Sequence, residues 1–436
     1  MTLSSRLFDT SLAGAVGLAT APERWFRMLH ERKGERFILR LPGIEPVLMR
    51  TSPEAARALF AAPAETFDPP LPNPLEPLLG ESSLILLAGA RHRRERQLLM
   101  PAFHGERMRR WGATMAACTR TRAARLTQGV PVDACALARD ITLDVILDVV
   151  FGLAEHEAQQ ALRTAIVAMI DAYGARFAAV PALRRSLLGG RAWSAFQQKR
   201  AALRELLRGL VQRSRGREGD RGDVLASLLS ARDEAGDGLD DEAIVDELCT
   251  LLVAGHETTA TALAWVLHYL HTNPALEQRA HDDLASLGAA PTPEQLASSA
   301  CLRAFGNEAL RMHPAVPLVA RRLRIPYRWL DEDLPAGTQL ALSVTELHRR
   351  PELYAHPDTF DPERFLVRDY KAWEFIPFGG GVRRCLGAAM AMYELPIVLG
   401  TLLRQARFVR HDKRAPRAVL GSITMGPGAP IWLIPQ

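Results

Sequence analysis

Lysine is almost missing from this chain: among 54 basic residues only Lys33, Lys199, Lys371 and Lys413 carry an ammonium. The acids nearly balance the arginines, and a formal charge of +5 over 436 residues is too small a surplus to mark a nucleic-acid binder. Cysteine is sparse too. Cys118, Cys135, Cys249, Cys301 and Cys385 are odd in number, scattered and never in a Cys-x-x-Cys pair, which excludes a disulfide framework and a structural zinc site. No stretch reaches the roughly 18–20 unbroken apolar residues of a membrane-spanning helix. The glycine-broken segment from Ser11 to Ala21 has one basic residue ahead of it, Arg6, with Asp9 intervening, and reads as mature sequence and not as a signal peptide. A cytoplasmic chain without obligatory cross-links or a membrane span is expected.

What is present suffices for a large core, since 48% of the residues are hydrophobic and 24% charged. Residues 35–41 and 46–50 read as strands around the Pro42-Gly43 turn, and Pro53 opens a short helix. Six prolines between Pro63 and Pro77 predict an irregular connection. Residues 89–312 are mostly helical in pattern, interrupted by a charged, glycine-rich loop at 213–223. From Asp240 to Thr272 there is no proline, and Asn273-Pro274 is a clear stop. Such a helix would be about 50 Å long, and its weakly charged centre, 251–264, predicts a course through the core. Strands return at 318–325, 339–343 and 431–434, with a further helix over 386–403. The expectation is one domain over 1–436, mainly α with small β-sheets.

Phe378-Gly379-Gly380-Gly381-Val382-Arg383-Arg384-Cys385-Leu386-Gly387 fits Phe-Gly-x-Gly-x-Arg-x-Cys-x-Gly. Here the chain resembles the cytochrome P450 superfamily, whose haem-ligand loop has this pattern. A thiolate at Cys385 donates electron density to haem iron and favours O–O cleavage. Glycines at 379, 381 and 387 allow tight turning and close approach to the ring. A helix starting just after Cys385 brings its positive end to the sulfur. Phe378 can screen that sulfur, and Arg383 suits a haem propionate.

The long helix carries Ala254-Gly255-His256-Glu257-Thr258-Thr259. An acid and a hydroxyl in an apolar helix are costly unless satisfied, and glycine beside β-branched residues predicts a locally opened turn facing a pocket. The segment resembles the superfamily's oxygen-activation segment, with Glu257 where many bacterial members carry aspartate. The resemblance makes Thr258 the hydroxyl that binds at the O2 site and Glu257 the group that, with solvent, delivers protons. A zinc-protease helix is excluded because its second histidine would fall on Ala260.

Two weaker patterns gain meaning from the same resemblance. Glu308 and Arg311 lie three apart on one helical face, and with Arg364 of Pro362-Glu363-Arg364-Phe365 they would form the superfamily's buried structural triad. His92 and Arg96, spaced i,i+4, are implied as propionate donors, with Arg321 as a third. Arg322 is adjacent, and a one-residue change of register would exchange the two. Arg93, Arg94 and Arg384 could make a basic docking surface for an acidic electron donor or a plain solvated face.

The resemblance implies a triangular helical prism enclosing haem b, and insertion of one atom of O2 into a lipophilic small molecule. NAD(P)H would supply electrons through a separate ferredoxin (or flavodoxin) and its reductase, because no flavin or iron–sulfur pattern accompanies the haem motif. A monomer is expected. The implied substrate pocket draws on Val253, Ala254, Val316, Val319, Ala320, Ile423 and Thr424, with stretches of 63–87 and 169–188. Their apolar character favours a terpenoid, fatty acid, steroid or polyketide. A peroxide-driven or rearrangement enzyme, or a non-catalytic haem protein, are the competing readings, and retention of Glu257 and Thr258 counts against both.

Overall fold

A computed structural model describes residues 11–103, 105–152, 156–184, 186–216, 222–411, 416–421 and 424–436. About 58% of the described residues are helical. The helix Asp241–Leu270 organises the rest. Asp240 caps it by accepting the Ala243 N–H, and Asp241 and Glu242 complement its positive end. At the other end Asn273 caps the next helix, which Pro274 begins. Between these signals lie 30 helical residues buried on most sides, as a helix without a wide polar face must be.

Its main partner is the helix Ala134–Phe151, and the Ile146 side chain of that helix packs directly on Gly255. A Cβ there would lie 2.8 Å from Ile146 Cδ1. The helix is continuous through this point, so the opened turn expected from the sequence is absent. Glycine serves packing here, and the Thr258 hydroxyl satisfies itself on the Ala254 carbonyl at 2.9 Å without breaking the helix.

The largest sheet has five strands in the order Arg36–Leu41, Ile44–Arg50, Gln339–Ser343, Leu318–Leu323 and Phe67–Asp68. All neighbouring pairs are antiparallel except Ile44–Arg50 with Gln339–Ser343. Phe67–Asp68 falls in the proline-rich stretch expected to be irregular, and Arg324 N–H continues its pairing to the Thr66 carbonyl. Elsewhere Trp432–Pro435 lies between Val132–Asp133 and Phe408–Arg410, so the C-terminal strand is fastened beside the start of the helix Ala134–Phe151. The strand Leu318–Leu323 and the helix Ala388–Gln405 bring the site together with the long helix.

Candidate active site

Cys385 sits three residues before the helix Ala388–Gln405, in a loop folded back on itself. Its N–H donates to the Phe378 carbonyl at 3.0 Å, Gly379 N–H to Ile376 and Arg384 N–H to Gly381. Gly379 and Gly381 have φ of 63° and 64°, the left-handed region where a side chain is strained. Gly380 occupies the motif's variable position yet is equally constrained, since a Cβ would come within 2.3 Å of the Phe60 ring. Gly387 differs. Its φ is −82°, so no turn demands glycine, and a Cβ there would meet nothing within 4 Å. A flat group could lie against that bare backbone.

The Cys385 side chain keeps access to solvent although protein crowds around it. Burial raises its thiol, while the Gly387 N–H and the charges of Arg384 and Arg96 act in the opposite direction. An N–H donor and two cations acting on one sulfur suit a thiolate ligand, whose proton a bound metal displaces.

Near it stands a group of bases that make no ion pair among the described residues. His92 and Arg96 project from the helix Gly89–Leu99, Arg321 from the strand Leu318–Leu323 and Arg383 from the cysteine loop. Burial, followed by Arg383, Arg96 and Arg321, pushes His92 down to about 4. Arg321 is lowered to about 9 by burial and by Arg383, and Arg383 to about 10 mainly by burial. Asp68 is the one acid acting on Arg383, and Arg324 already binds it at 2.5–2.8 Å. Arg321 donates to the Ala320 carbonyl and Arg383 to that of Leu87 at 2.6 Å, neither of which neutralises a charge. Three guanidinium groups and an imidazole in one partly buried place require anions from elsewhere. The two propionates of haem answer that need, and the donor set fits the cofactor.

Register decides between the two adjacent arginines. Arg321 shares a strand face with Val319, whose Cγ2 lies 3.7 Å from the Cβ position of Gly379. Arg322 points to the other face, towards Gly337.

On the long helix Leu251, Ala254, Thr258 and Thr261 keep solvent access at helical spacing within a largely buried stretch. This is the face a cavity would present. Glu257 is half-buried beside it. His256 is buried, lowered to about 4 by burial, and holds the Leu252 carbonyl through Nδ1 at 2.7 Å. Its own carbonyl accepts from Thr142 at 3.1 Å.

The expected pocket residues divide. Val319 faces the cysteine loop, and the Met425 N–H donates to the Ala315 carbonyl at 2.8 Å, setting Thr424 near the exposed Val316. Val253 and Ala320 are placed differently. Val253 is buried in the main core, one helical step from the accessible face, and Ala320 packs with the N-terminal cluster around Phe26 and Met49 on the opposite face of its strand. Ile423 lies outside the described residues. Of the basic surface, Arg93 pairs with Glu65 and Arg94 with Asp233, leaving Arg384 exposed in the loop.

Glu308, Arg311 and Arg364 come together: Arg311 Nε and Nη2 each donate to the Glu308 carboxylate at 2.7 Å, and Arg364 Nε does so at 3.2 Å.

Sequence reading missed a strap, residues 79–87, tied to the long helix. Asp246 accepts the Ser82 N–H at 2.9 Å, Glu247 accepts that of Leu84 at 2.5 Å, and the Thr250 and Ser83 hydroxyls lie 2.7 Å apart. Gly80, at φ 143°, packs directly on the Asp246 carboxylate. Two adjacent acids in an apolar helix were the available signal, because buried acids must find donors.

A family model described as cytochrome P450 matches residues 13–431. A Mycobacterium tuberculosis chain named for cytochrome P450 137 is 33% identical over 420 residues, covering 95% of this chain and 86% of that one. A Mycobacterium bovis chain named for cytochrome P450 135B1 is 31% identical over 407 residues, with 93% and 85% covered. The cyanobacterial CYP120A1 solved with retinoic acid superposes with a TM-score of 0.82 at 24% identity, covering 94% of each chain. The fold and the thiolate loop define a haem-thiolate oxidoreductase. This chain belongs to the cytochrome P450 family, and its general activity is that of a P450 monooxygenase using haem and O2. Among the described residues no helix is long and apolar enough to cross a membrane.

Proposed function

We propose that the chain is one haem-thiolate domain in which Cys385 ligates iron and His92, Arg96, Arg321 and Arg383 hold the propionates. The cluster of those four bases, unpaired with any acid among the described residues, beside a sulfur that meets the Gly387 N–H carries this reading. Haem, when bound, supplies O2 activation and insertion of one oxygen atom into substrate. The chain's own contribution is positional. Gly379 and Gly381 turn the loop, Gly387 leaves room for the ring, and Phe378 stands across from Cys385 through the 3.0 Å bond to its carbonyl. Thr258 and Glu257, on the accessible side of the long helix, hold and pass protons with solvent.

The substrate is a lipophilic small molecule that enters an apolar pocket flanked by Ala254, Val316, Val319 and Thr424. Electrons come from NAD(P)H through a separate ferredoxin and reductase, and the protein works as a cytoplasmic monomer. The purified chain should give the thiolate-type spectrum when reduced under carbon monoxide, and Cys385→Ala should lose it. Product formation with NADH, ferredoxin and reductase, compared with peroxide alone, tests the electron route. A folded chain that takes up no iron porphyrin, or binds it through nitrogen, sinks the assignment.

A further inference from the structure

Tyr269, in the last turn of the long helix, heads a chain of three groups from remote parts of the sequence. Its hydroxyl lies 2.8 Å from Nε2 of His313, the residue that caps the helix Ala300–Met312. His313 Nδ1 lies 2.7 Å from the carboxylate of Glu23, in the first turn of the helix Pro22–Lys33, and Arg349 holds the same carboxylate at 3.2 Å. Burial alone would raise the Glu23 carboxyl, but His313 and Arg349 outweigh it and bring it down to about 2, so the group is ionised and can only accept. In a neutral imidazole Nδ1 then carries the proton, and Nε2 is left to accept the Tyr269 hydroxyl. The phenol stands against a base whose far side is already paired with a carboxylate.

The same imidazole stacks on Trp265, with ring centroids 3.7 Å apart and planes 12° from parallel. Trp265 and Tyr269 are four apart on the long helix with centroids 6.3 Å apart, and Phe360 covers the Tyr269 ring at 4.2 Å. Trp265 continues the line of the accessible helix face, since Ala254, Thr258, Thr261 and Trp265 follow one another at steps of four, three and four residues. It lies two turns beyond Thr258, about 10 Å along the axis. Its indole N–H is buried and has no hydrogen-bond partner among the described residues. The two oxidisable rings therefore differ in one respect. Trp265 has no acceptor for a proton, and half-buried Tyr269 has His313.

We propose that Tyr269 is a redox-active residue that takes up oxidising equivalents escaping from the haem site, with Trp265 as the stepping stone and the His313–Glu23 pair as proton acceptor. The inference rests on the monooxygenase reading above and goes beyond it. An oxidised phenol is a strong acid, so a hydrogen-bonded base makes removal of its electron easier. One electron leaves Tyr269 by way of Trp265 for the oxidised site, the phenolic proton moves to His313 Nε2, and the Glu23 carboxylate stabilises the imidazolium so formed. A neutral tyrosyl radical remains. A one-electron reductant from solution, ascorbate or a thiolate, returns the electron to Tyr269, and His313 returns the proton. The service is protective: an oxidising equivalent that finds no substrate hydrogen ends at Tyr269 and not on haem or the side chains around it.

The test uses the full haem-loaded chain without substrate, mixed with meta-chloroperbenzoic acid and rapidly frozen for electron paramagnetic resonance, while the haem absorbance shows that the peracid has reacted. The unaltered chain should give a radical signal that narrows when its tyrosines are ring-deuterated and not when its tryptophans are. Tyr269→Phe, which keeps the stacked ring and removes only the hydroxyl, should lose most of that signal, and its haem should bleach faster. His313→Gln, which keeps an acceptor but no base, should also lose signal. No protein radical in the unaltered chain, narrowing by deuterated tryptophan instead, or an undiminished signal in Y269F or H313Q overturns the proposal and leaves the three residues as a hydrogen-bonded anchor for the helix Pro22–Lys33. The labelled unaltered chain decides the matter even where a variant does not fold. A normal reduced-carbon monoxide spectrum of the same preparation shows that such a failure belongs to Tyr269 and not to the haem assignment.

Discussion

Arg311 closes on Glu308 through two parallel N–H···O bonds of 2.7 Å, with both side chains wholly buried. The carboxylate also accepts Arg364 Nε and the Asp361 N–H, while Arg311 Nη1 reaches the carbonyls of His348 and Pro357. Three polypeptide stretches, 308–311, His348 and 357–364, therefore converge on one charge pair. Burying ions is expensive, and geometry of this completeness is what offsets the expense.

Removing the single acid should be the most damaging change in this group. Glu308→Gln leaves two buried guanidinium groups without a counter-charge and should cost about 3–5 kcal/mol. Arg364→Lys, which disturbs one 3.2 Å contact to Glu308 and the bonds to the Ala355 and Thr359 carbonyls, should cost less than Arg311→Lys, which disturbs two 2.7 Å bonds to Glu308 and three carbonyl bonds. Chemical denaturation of the haem-loaded variants orders the three, and an R364K as unstable as E308Q contradicts the argument.

The close approach at Gly255 makes a second prediction. Alanine would gain about 1 kcal/mol of helix propensity, but its Cβ at 2.8 Å from Ile146 Cδ1 forces a repacking that costs about 1–3 kcal/mol. Gly255→Ala should lower the melting temperature, and Ile146→Val, which removes the offending methyl, should make the double variant more stable than additivity allows. Additive effects would place the cost elsewhere.

The same contact shows where the sequence stops being informative. The cysteine loop was legible because each of its positions does local chemistry. Gly380 was not, because the ring that excludes its side chain belongs to Phe60, more than 300 residues earlier. The opened turn at Gly255 was inferred from local propensity, and a non-local neighbour, Ile146, supplied the actual reason. The Glu308–Arg311 pair could be read from i,i+3 spacing, but Arg364 needed the family resemblance, since nothing in a spacing joins residues 56 apart. The strap was invisible for the same cause: Leu84 and Glu247 are 163 positions apart. Val253 and Ala320 are directed differently from their neighbours Ala254 and Val319, because a helix turns about 100° per residue and a strand alternates faces, and pocket candidates taken in runs ignore this.

Glu247 gives a pH dependence. Burial, with Glu95 and Asp246 adding repulsion, raises its carboxyl to about 8, against the Leu84 N–H, which acts to lower it. A carboxyl raised in the folded state binds its proton there at pH values where the unfolded chain has lost it. Stability should therefore fall as pH rises from the ordinary carboxyl value of 4.5 towards 8. Glu247→Gln keeps an acceptor for the Leu84 N–H and has no proton to lose. Its melting temperature should match the unaltered chain near pH 4.5 and exceed it at pH 8; parallel curves would show that Glu247 ionises freely.

Thr258 carries a prediction about coupling. Its hydroxyl sits on the accessible face of the long helix and is held at 2.9 Å by the Ala254 carbonyl, so removing it leaves the helix intact. Thr258→Ala should keep haem and NADH consumption while product per NADH falls several-fold, the difference appearing as peroxide or water. Thr258→Ser should recover coupling. Measured ratios of NADH, O2 and product settle it, and a tightly coupled T258A contradicts the proposed proton path.

The register of one strand provides the sharpest discrimination. Arg321 pairs across from Leu340 and Arg322 from Gln339, so the two guanidinium groups leave the sheet on opposite faces. Only Arg321 acts electrostatically on His92, which belongs to the group of bases beside the cysteine loop. Arg321→Gln should then weaken haem retention, visible as faster transfer of haem to an apo-acceptor protein, by about tenfold for the loss of one charge-assisted propionate contact. The same exchange at Arg322 removes no member of that group and should leave the transfer rate within about twofold of the unaltered chain. If Arg322→Gln proved the leakier variant, the strand would be paired one residue out of the register described, and Val319 would have to leave the cysteine loop with it.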